Sequence, residues 1–144
     1  MNWQEEYKRK LGTPEEAAAL VRSGDRVHTG LLPMPKLIAR AISDRRKELE
    51  HLKIVMCGPE YNPGFLDPGW EKNFPVTVEN HIGRVAVDAL DEKRIDYSPV
   101  IFSTWFKPST DPRLDARPPD VFICTVSPPD TNGYCSFGAE LWNK

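Results

Sequence analysis

The chain has 144 residues, 40% hydrophobic and 28% charged, which is the composition of one globular domain with its own core. Whole-chain disorder and collagen-like repetition are excluded. The 19 basic and 21 acidic side chains are mixed along the chain, so nucleic-acid binding is not expected. No apolar stretch approaches the roughly 20 residues that span a bilayer, and residues 1–6 lack a signal-peptide pattern. We therefore expect a soluble cytoplasmic protein that does not bind membranes.

The cysteines and histidines follow no motif spacing. The odd number of cysteines argues against a disulfide framework, and there is no C-x-x-C pair. Cys57 ends an apolar run and Cys124 lies inside one, which predicts buried, unreactive thiols. The three histidines have no metal-ligand spacing with the cysteines. We therefore predict no metal site. We also expect no bound cofactor.

Two helices are predicted at the start of the chain. Residues 2–10 form a short polar helix candidate. Thr13 is a good N-cap, Pro14 stands at the first helical position, and Glu16 completes a capping box. This second helix is predicted to continue to a C-terminal glycine, Gly24.

A βαβ unit follows, with strands over residues 25–30 and 52–57 and a helix over residues 36–49. Such units build parallel sheets with a right-handed crossover. The apolar stripe of the helix comprises Leu37, Ile38, Ala41, Ile42 and Leu49.

The second half of the chain is rich in proline, with loops between short elements. A turn of helix is predicted near residues 68–71. Its other predicted elements are strands over residues 75–79, 99–104 and 120–126, a helix over 83–93 and an exposed loop over 107–119.

The predicted fold is α/β, with an open, mainly parallel sheet of about five strands and helices on both faces. In such sheets ligands bind beyond the carboxyl ends of the strands. Three loops qualify by that rule: residues 30–35, 58–64 and 127–138.

The segment 127–138 directly follows the strongest predicted strand. Pro128 and Pro129 fix two φ angles, Asp130 can cap the turn, and Asn132-Gly133 is a tight-turn pair. One interpretation is a hairpin whose prolines only stop the strand. The other is a rigid platform that holds polar groups at the edge of the sheet. The residues alone favour neither.

Standard catalytic motifs are missing from the sequence, including a P-loop, G-x-G-x-x-G and G-x-S-x-G. A Ser–His–Asp site can be written from His28, Ser127 and Asp130, but a histidine within a strand is more often structural. Glu60 follows a strand and is a second candidate for a catalytic residue.

Residues 127–138 read S-P-P-D-T-N-G-Y-C-S-F-G and resemble the S-P-P-D-x-x-G-Y-x-S-x-G signature of the acetyl-CoA hydrolase and CoA-transferase family. The likeness extends, in order, over essentially residues 1–138. Its other parts are Trp3, Tyr7 and Lys10 (W-x-x-x-Y-x-x-K), residues 13–17 (T-x-E-E-A), 23–27 (S-G-D-R-V), the P-x-x-L helix start at Pro35, residues 96–99 (D-F-x-P) and the strand start at Asp120.

The resemblance implies transfer of coenzyme A between an acyl-CoA and a small carboxylate, or hydrolysis of the thioester. In this family a glutamate attacks the thioester, which gives an acyl-glutamyl anhydride and then a glutamyl-CoA thioester. That glutamate and a glycine-rich CoA loop belong to a second domain, so we expect no catalytic nucleophile here. We consider Glu60 a weaker candidate than a glutamate supplied by a second domain. The substrate-lining residues carried over by the resemblance are Gly30, Pro35, Ser127, Pro128, Pro129, Asp130, Gly133 and Tyr134.

Residues 1–144 are thus expected to form a single α/β domain, the amino-terminal part of such an enzyme, without the second domain. It would need a carboxy-terminal CoA-transferase domain or subunit, and we expect an oligomer. An apolar contact face is expected to include Trp105, Phe106, Phe137, Leu141 and Trp142. The alternative is a non-catalytic module, left by a truncated or split gene, that binds CoA or regulates an intact relative.

Overall fold

A computed structural model describes residues 2–30, 34–99 and 118–138. The described strands form one five-stranded sheet in the order β4-β3-β2-β1-β5, and every neighbouring pair is parallel. The α/β prediction is therefore confirmed. The elements are α1 (Trp3–Lys10), α2 (Pro14–Ala18), β1 (Arg26–Thr29), α3 (Lys36–Asp44), β2 (Lys53–Cys57), β3 (Val76–Glu79), a 3₁₀ turn (Arg84–Ala86), α4 (Val87–Asp91), β4 (Asp96–Ser98) and β5 (Val121–Ile123).

The main hydrophobic core lies on one face of the sheet. Val27 is paired with Ile54, and Ile54 with Val76, so these three buried side chains share that face. They form one cluster with residues of the helices, among them Ala18 of α2 and Ile42 of α3. This packing removes apolar surface from water and holds α2 and α3 on the sheet.

The opposite face is also covered. His28 and Val55 are paired neighbours, and each is at most 7% exposed. Cys57, two residues beyond Val55 on the same face, is buried as well. Burial of consecutive residues in β1 and β2 is typical of a parallel sheet inside an α/β domain.

The second and third predicted helices end earlier than expected. The α geometry stops at Ala18 because the chain there changes to hydrogen bonds between residues i and i−3. The Arg45 guanidinium caps this end of the helix by donating to the carbonyl oxygens of Ala18 and Val21. The predicted helix over residues 36–49 likewise ends at Asp44 and continues as turns. The predicted stripe is partly wrong, since Leu37 is 74% exposed whereas Leu49 is buried.

The carboxyl end of that segment is held by a distant side chain. Asn73 donates through Nδ2 to the carbonyl oxygens of Arg46, at 3.0 Å, and Leu49, at 2.8 Å. These bonds satisfy carbonyls that a continuing helix would have used. Residues 68–71 form turns, so the helical turn predicted there is wrong.

Strand boundaries in the second half differ from the prediction. β4 occupies Asp96–Ser98, ahead of the predicted strand, whose residues 100–104 lie outside the described part of the chain. β5 ends at Ile123 rather than at residue 126. The cause is its partner: β1 ends at Thr29, and the last ladder bond runs from the Gly30 N–H to the Ile123 carbonyl. The predicted loop over residues 107–119 lies mostly outside the described residues.

Among the described residues, no helix has the length and apolar character that crossing a bilayer requires.

Candidate functional site

Three adjacent strands bring the predicted ligand loops to one edge of the sheet. β1 lies between β2 and β5, and all three are parallel, so their carboxyl ends share that edge. Gly30 directly follows β1, Gly58 directly follows β2, and Ser127 stands four residues after the end of β5. Residues 31–33 of the first loop lie outside the described residues.

Residues 127–138, which we call the signature loop, fold as a self-bonded hairpin. Asp130 Oδ1 accepts the backbone N–H groups of Asn132, at 2.8 Å, and Tyr134, at 2.9 Å. Across the base, the Ser127 N–H donates to the Ser136 carbonyl at 2.8 Å, and the Ser136 N–H donates to Ser127 Oγ at 2.9 Å. These bonds fix the loop locally, as an Asx-type turn does.

The structure describes all eight residues predicted to line a substrate. Six of them belong to the signature loop, and the other two frame the first loop. Gly30 is buried; Pro35, Pro129 and Gly133 are half-buried; Ser127, Pro128, Asp130 and Tyr134 are exposed. The Tyr134 side chain is 75% exposed, so its ring is available to a ligand or to another domain.

The second loop, residues 58–64, is held at its start, where Gly58 and Pro59 contact His81 and Gly83. The Gly58 N–H donates to the His81 carbonyl at 2.7 Å. Gly83 has φ +66°, and a Cβ there would lie 2.4 Å from the Pro59 carbonyl oxygen, so this close approach needs glycine. The next residue, Glu60, is exposed to solvent.

Tyr61 ties the second loop to the start of α3. Its hydroxyl donates to the Lys36 carbonyl at 2.7 Å, and the Lys36 ammonium lies 5.5 Å from the ring centroid. Partial burial raises the pKa of the Tyr61 phenol, so it stays protonated and can donate. This contact, which the sequence analysis missed, joins the second loop to the helix that begins right after the first.

A polar network anchors the remainder of the second loop. Asn62 Oδ1 accepts the N–H groups of Gly64, at 2.8 Å, and Leu66, at 3.1 Å, and its Nδ2 donates to Asp67 at 2.9 Å. The other Asp67 oxygen binds the Arg46 guanidinium at 3.0 Å. The loop is therefore fastened to the turns that follow α3.

A Ser–His–Asp site is not assembled. His28 Nε2 accepts a hydrogen bond from Arg26 Nε at 3.1 Å, while Ser127 and Asp130 serve the backbone of the signature loop. Burial, with the positive charges of Arg26 and Lys53, lowers the pKa of His28 to about 4. His28 is thus a neutral structural residue on the sheet.

The three cysteines differ in burial. Cys57 is buried, as predicted, and burial raises the pKa of its thiol. Cys124 is only half-buried, so that part of the prediction is wrong, and Cys135 is exposed. Within the described ranges, no three histidine, cysteine, aspartate or glutamate side chains are grouped as metal ligands.

Comparison with known proteins identifies the class. Residues 1–143 match the acetyl-CoA hydrolase/transferase N-terminal domain, so the chain belongs to that family. The chain is 30% identical over 141 residues to the 4-hydroxybutyrate coenzyme A transferase of Clostridium kluyveri, covering 97% of this chain and 32% of the relative. It is 34% identical over 140 residues to the succinyl-CoA:cyclohexane-1-carboxylate CoA transferase of Geobacter metallireducens, covering 92% and 29%.

Solved structures agree on the fold. RipA from Yersinia pestis superposes with a TM-score of 0.78 at 22% identity, covering 95% of this chain and 33% of that one. Its E249A mutant superposes with a TM-score of 0.77 at the same identity and coverage. The chain therefore spans about a third of the length of the relatives and structures that it matches.

Proposed function

We propose that this chain is the amino-terminal domain or subunit of an acyl-CoA:carboxylate CoA-transferase, of the 4-hydroxybutyrate or acetate type, or of an acetyl-CoA hydrolase. A second, carboxy-terminal domain or subunit supplies the nucleophilic glutamate. The substrates are an acyl-CoA thioester and a small carboxylate. The protein works as an oligomer in the cytoplasm.

The observation that carries this proposal is the signature loop, a self-bonded hairpin at the carboxyl edge of the sheet. β5 adjoins β1, so this hairpin and the first loop leave neighbouring strands on the same side. Such an edge is where open α/β sheets bind ligands. The names of both relatives, each a coenzyme A transferase, support coenzyme A thioesters as the substrate class.

The residues of this chain have a supporting role in the proposed reaction. Gly30, Pro35 and the signature loop form one wall of the substrate site, and the second domain forms the other. The nucleophile from that domain attacks the thioester carbonyl and expels CoA as a thiolate. The thiolate then attacks the glutamyl carbonyl of the acyl-glutamyl anhydride, which gives the glutamyl-CoA thioester and releases the donor acid as its carboxylate. The rigid loops here hold the substrate for those steps and exclude water.

The test is reconstitution. The chain is expressed alone and together with the product encoded immediately downstream of codon 144 or by the adjacent gene. Transfer from acetyl-CoA to 4-hydroxybutyrate is followed by chromatography of the two CoA esters, and hydrolysis by release of free CoA. We expect activity only from the combination, and its loss when the candidate glutamate of the added part is changed to glutamine.

Two results decide against the proposal. Turnover by the chain alone means that the nucleophile lies within it, and Glu60 is then the first residue to substitute. An inactive combination, together with CoA binding by the chain alone in a calorimetric titration, favours the non-catalytic module instead.

A further inference from the structure

α1 is attached to the rest of the protein in an unusual way. None of its residues is buried, although its own ends are well stabilised. Asn2 Oδ1 accepts the N–H of Gln4 at 3.1 Å, and Glu6 binds Arg9 at 2.6 Å. The helix therefore adds little to the core, and an isolated helix of eight residues is marginal in water. A contact outside the core must keep it in place.

The described contacts of α1 lead to the signature loop. Gln4 Nε2 donates to the carbonyl of Pro129 at 2.7 Å, across 125 positions of sequence. The indole of Trp3 lies on Gly133: a Cβ built there would be 2.4 Å from Trp3 Cε2 and 2.5 Å from Cδ2. Gly133 also has φ +88°, a conformation that favours glycine. One polar and one apolar contact thus fix α1 on both sides of the turn.

The chemistry of the loop explains why it needs such support. Pro128 and Pro129 have no N–H, so neither can tie the loop down by donating a hydrogen bond. Their carbonyls are the polar groups available there. Ser127 Oγ donates to the Pro128 carbonyl at 2.9 Å, and Gln4 donates to that of Pro129. Gln4, a donor from outside the loop, therefore provides a hydrogen bond that holds the loop in place, which the proline backbone cannot provide as a donor.

We propose that α1 is a brace for the signature loop, and that Trp3 and Gln4 are positioning residues of the candidate site. The effect on catalysis rests on the function proposed above, whereas the brace itself does not. Detaching α1 should loosen the loop and leave the sheet unchanged. The support is reciprocal, because an eight-residue helix is itself stabilised by docking on the loop.

The first test measures hydrogen exchange at the amides of Asn132, Tyr134 and Ser136 in the 144-residue chain. Gln4→Glu has nearly the same shape but no N–H₂ donor, and Trp3→Ala removes the indole. We expect each to speed exchange at these three amides about tenfold, with no change at β1 to β3 amides. Lys8→Ala, on an exposed residue of α1, is the matched control and should change neither. Unchanged exchange in the loop, or equal acceleration throughout the sheet, contradicts the brace.

A double-mutant cycle tests the Trp3–Gly133 contact separately. Gly133→Ala places a methyl group against the indole, so its effect on loop exchange should be several-fold smaller when Trp3 is already alanine. Equal effects in the two backgrounds show that the residues do not interact, and only the strained φ of position 133 then matters.

The functional readout uses the reconstituted enzyme. Because the loop lines the site without supplying the nucleophile, Gln4→Glu should raise the KM about tenfold and change kcat less than twofold. A purely structural loss lowers the active fraction, so it reduces apparent kcat at unchanged KM, and that result refutes the positioning role. If the unsubstituted combination is inactive, the proposed function fails, while the exchange experiment still decides whether α1 braces the loop.

Discussion

The asparagine at the centre of the second loop offers the sharpest test of how that loop is held. Asn62 makes three hydrogen bonds through one side chain: two accepted from backbone N–H groups and one donated to Asp67. Both amides it serves, those of Gly64 and Leu66, belong to buried residues. Asn62→Ala removes all three bonds and leaves two buried donors without a partner.

The expected cost follows from those bonds. Each contributes about 1 kcal/mol, and an unsatisfied buried donor costs about as much or more, so the free energy of unfolding should fall by about 2–4 kcal/mol. For a chain of 144 residues each kcal/mol corresponds to roughly 3 °C, which gives a fall in Tm of about 6–12 °C. Urea unfolding followed by circular dichroism measures the free energy, and a thermal scan measures Tm.

The control is Asn132→Ala. Asn132 is an exposed asparagine in the signature loop, and the bond to Asp130 uses its backbone N–H, which alanine keeps. Its cost should stay below about 0.5 kcal/mol, as for most surface substitutions. If Asn62→Ala costs no more than this control, the amide does not hold the second loop, and the anchoring described for it is incorrect.

Three further outcomes are expected in the same unfolding assays. Thr13→Ala breaks a capping box whose two bonds are both present and should cost about 1 kcal/mol. Phe74→Ala empties a fully buried, edge-to-face aromatic site and should cost about 3–5 kcal/mol, whereas Leu37→Ala, on an exposed helix position, should cost below about 0.5 kcal/mol. The folded pKa of His28 is lowered to about 4, so the unfolded chain binds its proton first, and stability should fall by up to about 3 kcal/mol between pH 6.5 and 4. His28→Gln should lack that fall, so the difference in unfolding free energy between the unsubstituted chain and the variant should change between pH 6.5 and 4. If the two curves of unfolding free energy against pH are parallel, the lowered pKa of His28 is contradicted.

Local signals in the sequence located the starts of the first three helices well, because the bonds that define a helix start are local. The capping box at Thr13 and Glu16 is present as predicted, with hydrogen bonds of 3.1 and 2.8 Å. Element ends were less predictable, since distant groups set them. The Arg45 guanidinium and the Asn73 amide cap segments that are remote from them in sequence, and neither leaves a periodic signature.

Which loops lie together at the site depends on the order of the strands in the sheet, and the sequence does not reveal that order. β5 comes last along the chain but lies beside β1, and this pairing places the signature loop next to the loop that begins at Gly30. The self-bonding of Asp130 could be predicted, since aspartate caps turns within a few residues. The contacts of Gln4 and Tyr61 could not, since they join residues 125 and 25 positions apart.

The second loop and the signature loop are held by different means, and this difference bears on how the site can respond. The second loop is fixed from within the domain, because Asn62 binds Asp67 and Asp67 binds Arg46, just after α3, so its position is set once the core has formed. The signature loop follows a strand whose ladder has already ended. Among its described contacts, support from outside the loop includes α1, which buries nothing in the core. Such an attachment can be lost without unfolding the sheet. Movement at this edge should therefore begin at the signature loop, the wall that we propose meets the second domain, while the second loop keeps its position.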